Sequence, residues 1–199
     1  MPKPDVTQER TAQITAAALT AFAQLGFHKT RMDDIASEAG LSKGTLYLYF
    51  KSKDEIITAV FDQFMSGEMD GVADLLATPV PAAEKLRTLI VQMMADTESQ
   101  LGQYLSIWLE FYAITARKGV FRATMLHYMT EFLDLFTALI QQGIDAGEFR
   151  PVNARDAAAA MGAQFEGLLL LYSIDKDLLN LMAVTETAVD LFLRGLARV

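Results

Sequence analysis

The chain contains no cysteine and only two histidines, and those absences remove much of the chemistry a protein of this length can carry. Without thiols there is neither a disulfide framework nor a thiolate metal site. His28 and His127 lie far apart, and neither falls in an H-E-x-x-H or nucleophile-elbow pattern. The run GLSKGT at 40–45 lacks the spacing of a phosphate-cradling loop, and no strand pattern precedes it. No enzymatic activity, metal site or cofactor is therefore expected. Long apolar runs are scarce as well. The longest, Ala157 to Ile174, contains Gln164 and Glu166 and ends against Asp175 and Asp177, which argues against a membrane span. The opening MPKPDVTQER is polar and has no apolar core of a signal peptide, so a cytoplasmic location is expected.

Basic residues are also in deficit, 17 against 25 acids, for a net charge of −8. The distribution matters more than the sum. Up to Lys53 there are seven Lys/Arg and five Asp/Glu, leaving ten against twenty beyond it. The amino-terminal end is the basic one. The composition is 52% hydrophobic over 199 residues, enough for a substantial core and high enough to suggest that a partner covers some apolar surface. Apolar residues recur at helical spacing, with no alternating strand pattern and no internal repeat, so the fold class is all-α. Helices are expected from Thr7 to Leu25 (burying Ile14, Ala18, Phe22 and Leu25, and stopping at Gly26 and Phe27), Ala82 to Ser99, Gly102 to Arg117, Val120 to Ala146, Ala154 to Ser173 and Thr185 to Arg198. The segment Ala77-Thr-Pro-Val-Pro81 is the clearest break.

The most informative stretch is TRMDDIASEAGLSKGTLYLYF, Thr30 to Phe50. Thr30 with Asp33 reads as a capped helix start, and Ile35 and Ala39 share a face. Gly40 suits a tight turn that needs left-handed backbone, Leu41 plugs it, and Ser42 caps a second helix. On that helix Leu46 and Phe50 fall together as the core side. Leu48 then points away, beside Gly44 and Thr45, with Tyr47 and Tyr49 flanking the outward face. An exposed leucine and two tyrosines need a partner. A DNA major groove fits: Thr45 and Leu48 can meet base edges or a thymine methyl, Tyr47 and Tyr49 the phosphate walls, and Lys43 adds charge. Packing against another part of the same chain is the plainer alternative. A further capping box, Ser52-Lys-Asp-Glu55, launches a helix through Ile56, Ile57, Val60, Phe61 and Phe64, with Lys51 and Lys53 at the junction.

The segment from about Thr11 to Phe64 resembles the amino-terminal domain of the tetracycline-repressor (TetR) family of bacterial transcription regulators, and GEFRP at 147–151 is a further point of likeness. The resemblance implies a three-helix helix-turn-helix DNA-binding domain, residues 1–53, and a larger helical ligand-binding and dimerisation domain, residues 54–199. It implies a homodimer on a palindromic double-stranded operator, released when a small-molecule effector enters the second domain and swings the helix that starts at Lys53. Carried over by position, DNA contacts fall on Thr30, Arg31, Ser42, Lys43, Gly44, Thr45, Tyr47, Leu48, Tyr49 and Lys53. Leu48 departs from the histidine or tyrosine frequent at its position, which shifts preference towards apolar contact with thymine, and Arg31 is bulkier than the usual residue at its site.

The remainder is less specific. Tyr104, Trp108, Phe111, Tyr112, Phe165 and Glu166 are candidates for the ligand site, whereas Asp96 and Glu110 are expected on solvated faces. Glu166 has apolar helical neighbours, so it is expected to face a ligand cavity or the dimer seam, with solvent as the alternative. The helix from Val120 has an apolar stripe too wide for one packed side, including Tyr128, Phe132 and Phe136. The next has Ala159, Ala163 and Gly167 at intervals of four. These two helices are candidates for a four-helix dimer interface, tight packing within one chain being the alternative. Two classes of function follow: a dimeric, ligand-responsive transcription regulator, or a helical carrier or sensor of hydrophobic molecules acting through protein partners.

Overall fold

The computed structural model describes the backbone of residues 6–69, 72–115 and 119–198, and the side chains within those ranges other than 64–69, 72–74, 97, 99–108 and 120. Its described residues form α1 (Val6–Leu25), α2 (Met32–Glu38), α3 (Lys43–Tyr49), α4 (Lys53–Met69), α5 (Val72–Ala77), α6 (Ala82–Thr115), α7 (Gly119–Asp145), α8 (Ala154–Ile174) and α9 (Leu181–Leu196). Among them there is no strand, only an isolated bridge between Phe149 and Ala197. The all-helical expectation holds, with three differences. The break expected between Ser99 and Gly102 is absent, because a single interior glycine costs only about 1 kcal/mol and α6 runs through it. The last helix begins ahead of Thr185, because Asn180 accepts the Ala183 amide at 2.9 Å and so caps an earlier start. The short α5 was not expected.

Two compact units emerge, one of Met1–Glu68 with Leu101–Thr124, the other of Met69–Gln100 with Met125–Val199. In the first, Ile14, Ala18 and Phe22 of α1 are buried as their spacing requires. Leu25 is not. It is 45% exposed, since α1 ends at Gly26, whose φ of +76° reverses the chain, and Phe27 beyond it packs on Phe22 at 5.4 Å between ring centroids. Aromatic rings finish this core: Phe61 stacks on Phe111 at 3.9 Å, and Phe121 meets both Phe111 and Phe27 edge-on.

In the second unit the GEFRP segment has a physical account. Gly147 ends α7 with φ +77°. The Glu148 carboxylate accepts the Ala82 and Ala83 amides at the start of α6 (3.0 and 3.2 Å), answering orphan donors of the helix terminus. Phe149 is buried against Gly143, and Arg150 donates to the Leu196 and Gly195 carbonyls. Lys85, fully buried, donates to the Leu76 carbonyl and Gln142 Oε1 (2.8 and 3.0 Å), tying α5 to α6 and α7. The Arg87–Asp190 ion pair ties α6 to α9, and the Arg87 hydrogen bond and charge hold the Asp190 carboxyl below its ordinary value.

Tyr128, Phe132 and Phe136 prove to be internal. Tyr128 and Phe136 are buried at 9% and 0% exposure. The Phe132 ring, half-buried, packs on Phe136 at 4.3 Å and lies against Gly162 of α8. Placing them in a dimer seam is therefore corrected: the wide stripe of α7 is covered by its own chain, and the outer side of α7 carries Arg122, His127, Glu131, Asp134 and Gln141. A Cβ added at Gly143 would run into the Phe149 ring, so Gly143→Ala is expected to lower the unfolding free energy by about 1–3 kcal/mol, read by urea denaturation.

Candidate nucleic-acid interface

The first three helices build the outward face from local rules. The α1–α2 connection is a tight turn in which almost every polar group is spoken for. Gly26 N donates to the Phe22 carbonyl (2.8 Å) and Thr30 N to the Gly26 carbonyl (3.2 Å). Thr30, 2% exposed, turns its hydroxyl inward to the carbonyls of Gly26 and Ala21 (2.8 and 3.3 Å). The Phe27 amide donates to Glu110 Oε2 of α6 at 2.5 Å. Lys53, at the start of α4, donates to the carbonyls of Phe27, His28 and Thr30 and lies over the Phe27 ring at 4.4 Å.

Three expectations change as a result. Thr30 does not cap α2: Arg31 occupies that position, and its amide donates to the Asp34 carboxylate at 2.8 Å. Being buried, Thr30 cannot touch DNA. Lys53 has its amine committed to backbone carbonyls, so its expected phosphate contact gives way to holding the turn. Glu110, expected on a solvated face, caps this same turn.

Gly40 takes φ +64° between α2 and α3, and the Leu41 amide closes the α2 end on the Ala36 carbonyl at 2.8 Å. Ser42 caps α3 as expected, accepting the Thr45 amide at 3.1 Å while its Oγ meets Thr45 Oγ1 at 2.8 Å. Leu46 and Phe50 are buried at 0% and 7% exposure. The opposite side is open: Leu48 is 75% exposed and Tyr47 38%, with Ser42, Lys43 and Gly44 exposed and Thr45 and Tyr49 half-exposed. Tyr47, Leu48 and Tyr49 therefore do not pack away inside the chain. Lys51 turns back to the Tyr47 carbonyl at 2.7 Å, closing the end of α3. Lys43 Nζ lies 2.7 Å from Asp33 Oδ1, and that hydrogen bond and charge raise the Lys43 amine above its ordinary value. Among the described residues, Lys29 and Arg31 are exposed cations outside any ion pair. The result is a rigid helix whose outer face carries an apolar tip, phenol and hydroxyl groups, and a nearby cation.

Residues 14–60 match the tetR family of bacterial regulatory proteins, and residues 82–197 match the carboxy-terminal part of BetI-type transcriptional repressors. The chain belongs to the tetR family. YfiR, an uncharacterized HTH-type transcriptional regulator of Bacillus subtilis, is 31% identical over 157 residues, 75% of each chain. In fold the chain is similar to a transcriptional regulator from Saccharomonospora viridis solved with choline, with a TM-score of 0.85 at 23% identity over 96% of this chain and 100% of that one. It is also similar to FadR from Bacillus subtilis solved with stearoyl-CoA, with a TM-score of 0.81 at 22% identity over 93% and 98%. The exposed face on α3 thus belongs to a transcriptional regulator.

The ligand candidates are less united. Phe111 is fully buried in the aromatic stack of the first unit, with Tyr112 half-buried beside it in sequence. Phe165 (8% exposed) and half-exposed Glu166 belong to the second unit. The side chains of Tyr104 and Trp108 lie outside the described residues. An open groove of about 330 Å³ runs along α1 and α4, lined by Thr7, Gln8, Thr11, Ala12, Thr15, Ala59 and Gln63, with no acid or base to hold an ion. Among the described residues no group of histidines or acids is placed to hold a metal.

Because three carbonyls depend on one amine, Lys53→Met is expected to cost about 2 kcal/mol of unfolding free energy. Lys29→Met should change it by less than about 0.5 kcal/mol. Paired urea titrations measure both.

Proposed function

We propose that this tetR-family regulator is a cytoplasmic repressor that binds a palindromic operator as a homodimer and is released by a small hydrophobic or cationic effector. Residues 1–53 read DNA, and residues 54–199 dimerise and take the ligand. The observation that carries the reading is α3, a seven-residue helix whose most exposed side chain is a leucine flanked by two tyrosines. Leu48 and Thr45 meet base edges, Tyr47, Tyr49, Ser42 and Lys43 the phosphates, and Gly44 admits the backbone closely, with Arg31 at the margin.

Dimerisation is supported by α8. It is long and apolar enough to cross a membrane by length and composition, yet only 17% of its most apolar window is buried in the chain. Beyond its polar first turn and Gln164, its exposed residues are Ala159, Ala160, Ala163, Leu170, Leu171 and Ile174, and a Cβ at Gly167 would meet nothing within 4 Å. Small residues followed by leucines suit close approach of a second helix. Helix α9 packs beside α8, with Leu191 63% exposed, so the seam proposed is α8 with α9 in each copy. Two proteins of this fold hold choline and stearoyl-CoA, which supports an effector with a cation or a long apolar chain. Glu166, at the middle of α8, faces ligand or seam. Release follows when ligand changes the separation of two recognition helices that must match major grooves about 34–36 Å apart.

Selection of duplexes from a random library is expected to enrich a palindrome bound in a salt-dependent manner. Tyr47→Ala and Lys43→Ala should each weaken binding to it by about 1 kcal/mol or more per half-site. Enrichment of no sequence at low salt would contradict the reading. Ala163→Glu is expected to convert the dimer to monomer in light scattering, whereas Glu131→Ala on the polar side of α7 should leave it dimeric. Glu166→Gln should alter either that dimer affinity or the thermal shift given by choline or stearoyl-CoA.

A further inference from the structure

Resting on the homodimeric DNA-reading role proposed above, we propose that Glu110 is a positioning residue for operator spacing: its carboxylate fastens the α1–α2 turn to α6 and so sets the separation and angle at which a homodimer presents its two α3 helices. Four helices of the first unit converge on Phe27. Its amide donates to Glu110 Oε2 of α6 at 2.5 Å, and its carbonyl accepts from Lys53 of α4. Its ring meets Phe22 of α1 and Phe121 of α7 at 5.4 and 6.4 Å between centroids. The other oxygen of Glu110 lies against Gly26, where an added Cβ would stand 3.1 Å from Oε1. Both carboxylate oxygens are thus applied to the turn, and an N–H given to a carboxylate makes a bond roughly twice as strong as a neutral one.

This hold differs in kind from the others. Thr30 and Lys53 grip the turn from within residues 1–68 and go on gripping it when Glu110 is removed. The seat of α3, with Leu46 and Phe50 buried beneath it, does not involve Glu110 either. Glu110 stands on a helix that serves both units: α6 runs unbroken from Ala82 to Thr115, its residues up to Gln100 belonging to the second unit and those from Leu101 to the first. The stack of Phe61 on Phe111 gives α4 and α6 cohesion without direction, whereas a hydrogen bond fixes direction as well as distance. A single half-site asks nothing of that fixation. A palindrome does, because one base pair added between its halves moves them apart by about 3.4 Å and turns one against the other by roughly 35°.

The test compares the unmodified protein with Glu110→Ala and Glu110→Gln on the selected palindrome, on a single half-site, and on palindromes with one base pair added or removed at the centre. Glu110→Ala is expected to weaken binding to the palindrome about tenfold and to the half-site less than about twofold. Altered spacing should weaken binding about tenfold for the unmodified protein and less than about threefold for Glu110→Ala. Glu110→Gln, whose amide oxygen still accepts the Phe27 N–H, should match the unmodified protein on every duplex. Equal weakening on half-site and palindrome would overturn the proposal, since Glu110 would then support α3 itself. So would an unchanged palindrome affinity in Glu110→Ala, or failure of Glu110→Gln to restore it. If no palindrome is selected, the proposed function fails, and hydrogen exchange at the Phe27 amide still decides the hold on the turn. Exchange about tenfold faster in Glu110→Ala supports that hold, and unchanged exchange refutes it.

Discussion

The exposed face of α3 depends on one turn. Between the end of α1 and the start of α2 the chain reverses in six residues, and such a reversal leaves amides and carbonyls with no helical partner. Here they are answered by side chains from distant parts of the sequence: Lys53 takes three carbonyls, Thr30 takes two, and Glu110 takes the Phe27 amide. With the turn fixed, α2 has one position on α1. Gly40 and Ser42 then fix α3 on α2, and the burial of Leu46 and Phe50 leaves Leu48 pointing outward. An exposed leucine gains nothing until a surface covers it, and a helix fixed on its neighbours presents it to the same place each time.

The electrostatics of the same unit are frugal. The excess of acids lies beyond Lys53, ten Lys/Arg against twenty Asp/Glu, and even the basic end has committed most of its lysines. Lys53 and Lys51 close backbone ends, and Lys43 is paired with Asp33. Attraction to nucleic acid therefore rests on few charges, which suits a protein that must read sequence among many competing sites. The second unit applies carboxylates to structure instead, with Glu148 at the head of α6 and Asp190 on Arg87.

Features governed by near neighbours were legible in the sequence. Gly26, Gly40 and Ser42 act over three or four residues, and their roles follow from backbone geometry alone. The buried and exposed sides of α3 follow from 100° per residue. What escaped was every choice between a solvent role and a long-range one. Thr30 looked like a cap because it precedes two aspartates, but Arg31 and Asp34 perform that function and Thr30 turns inward. Lys53 looked like a phosphate ligand, yet the carbonyls it serves lie 23–26 residues away. Glu110 shares its helix face with polar residues, and its partner is 83 residues distant. The apolar stripe of α7 misled for a related reason: its width recorded burial on several sides within one chain, whereas the uncovered apolar face belongs to α8, whose alanines and glycine gave a weaker signal than aromatic rings.

Of the lysines of the first unit, Lys43 is the one proposed to meet DNA and Lys53 holds the turn, and amine-directed acetylation followed by mass spectrometry separates them. In the free protein Lys43 should react readily and Lys53 slowly. Addition of the selected duplex should protect Lys43 and leave Lys53 unchanged. Protection of Lys53 in place of Lys43, or ready acetylation of Lys53 in the folded protein, would contradict the assignment of the reading face to α3 and of Lys53 to the turn behind it.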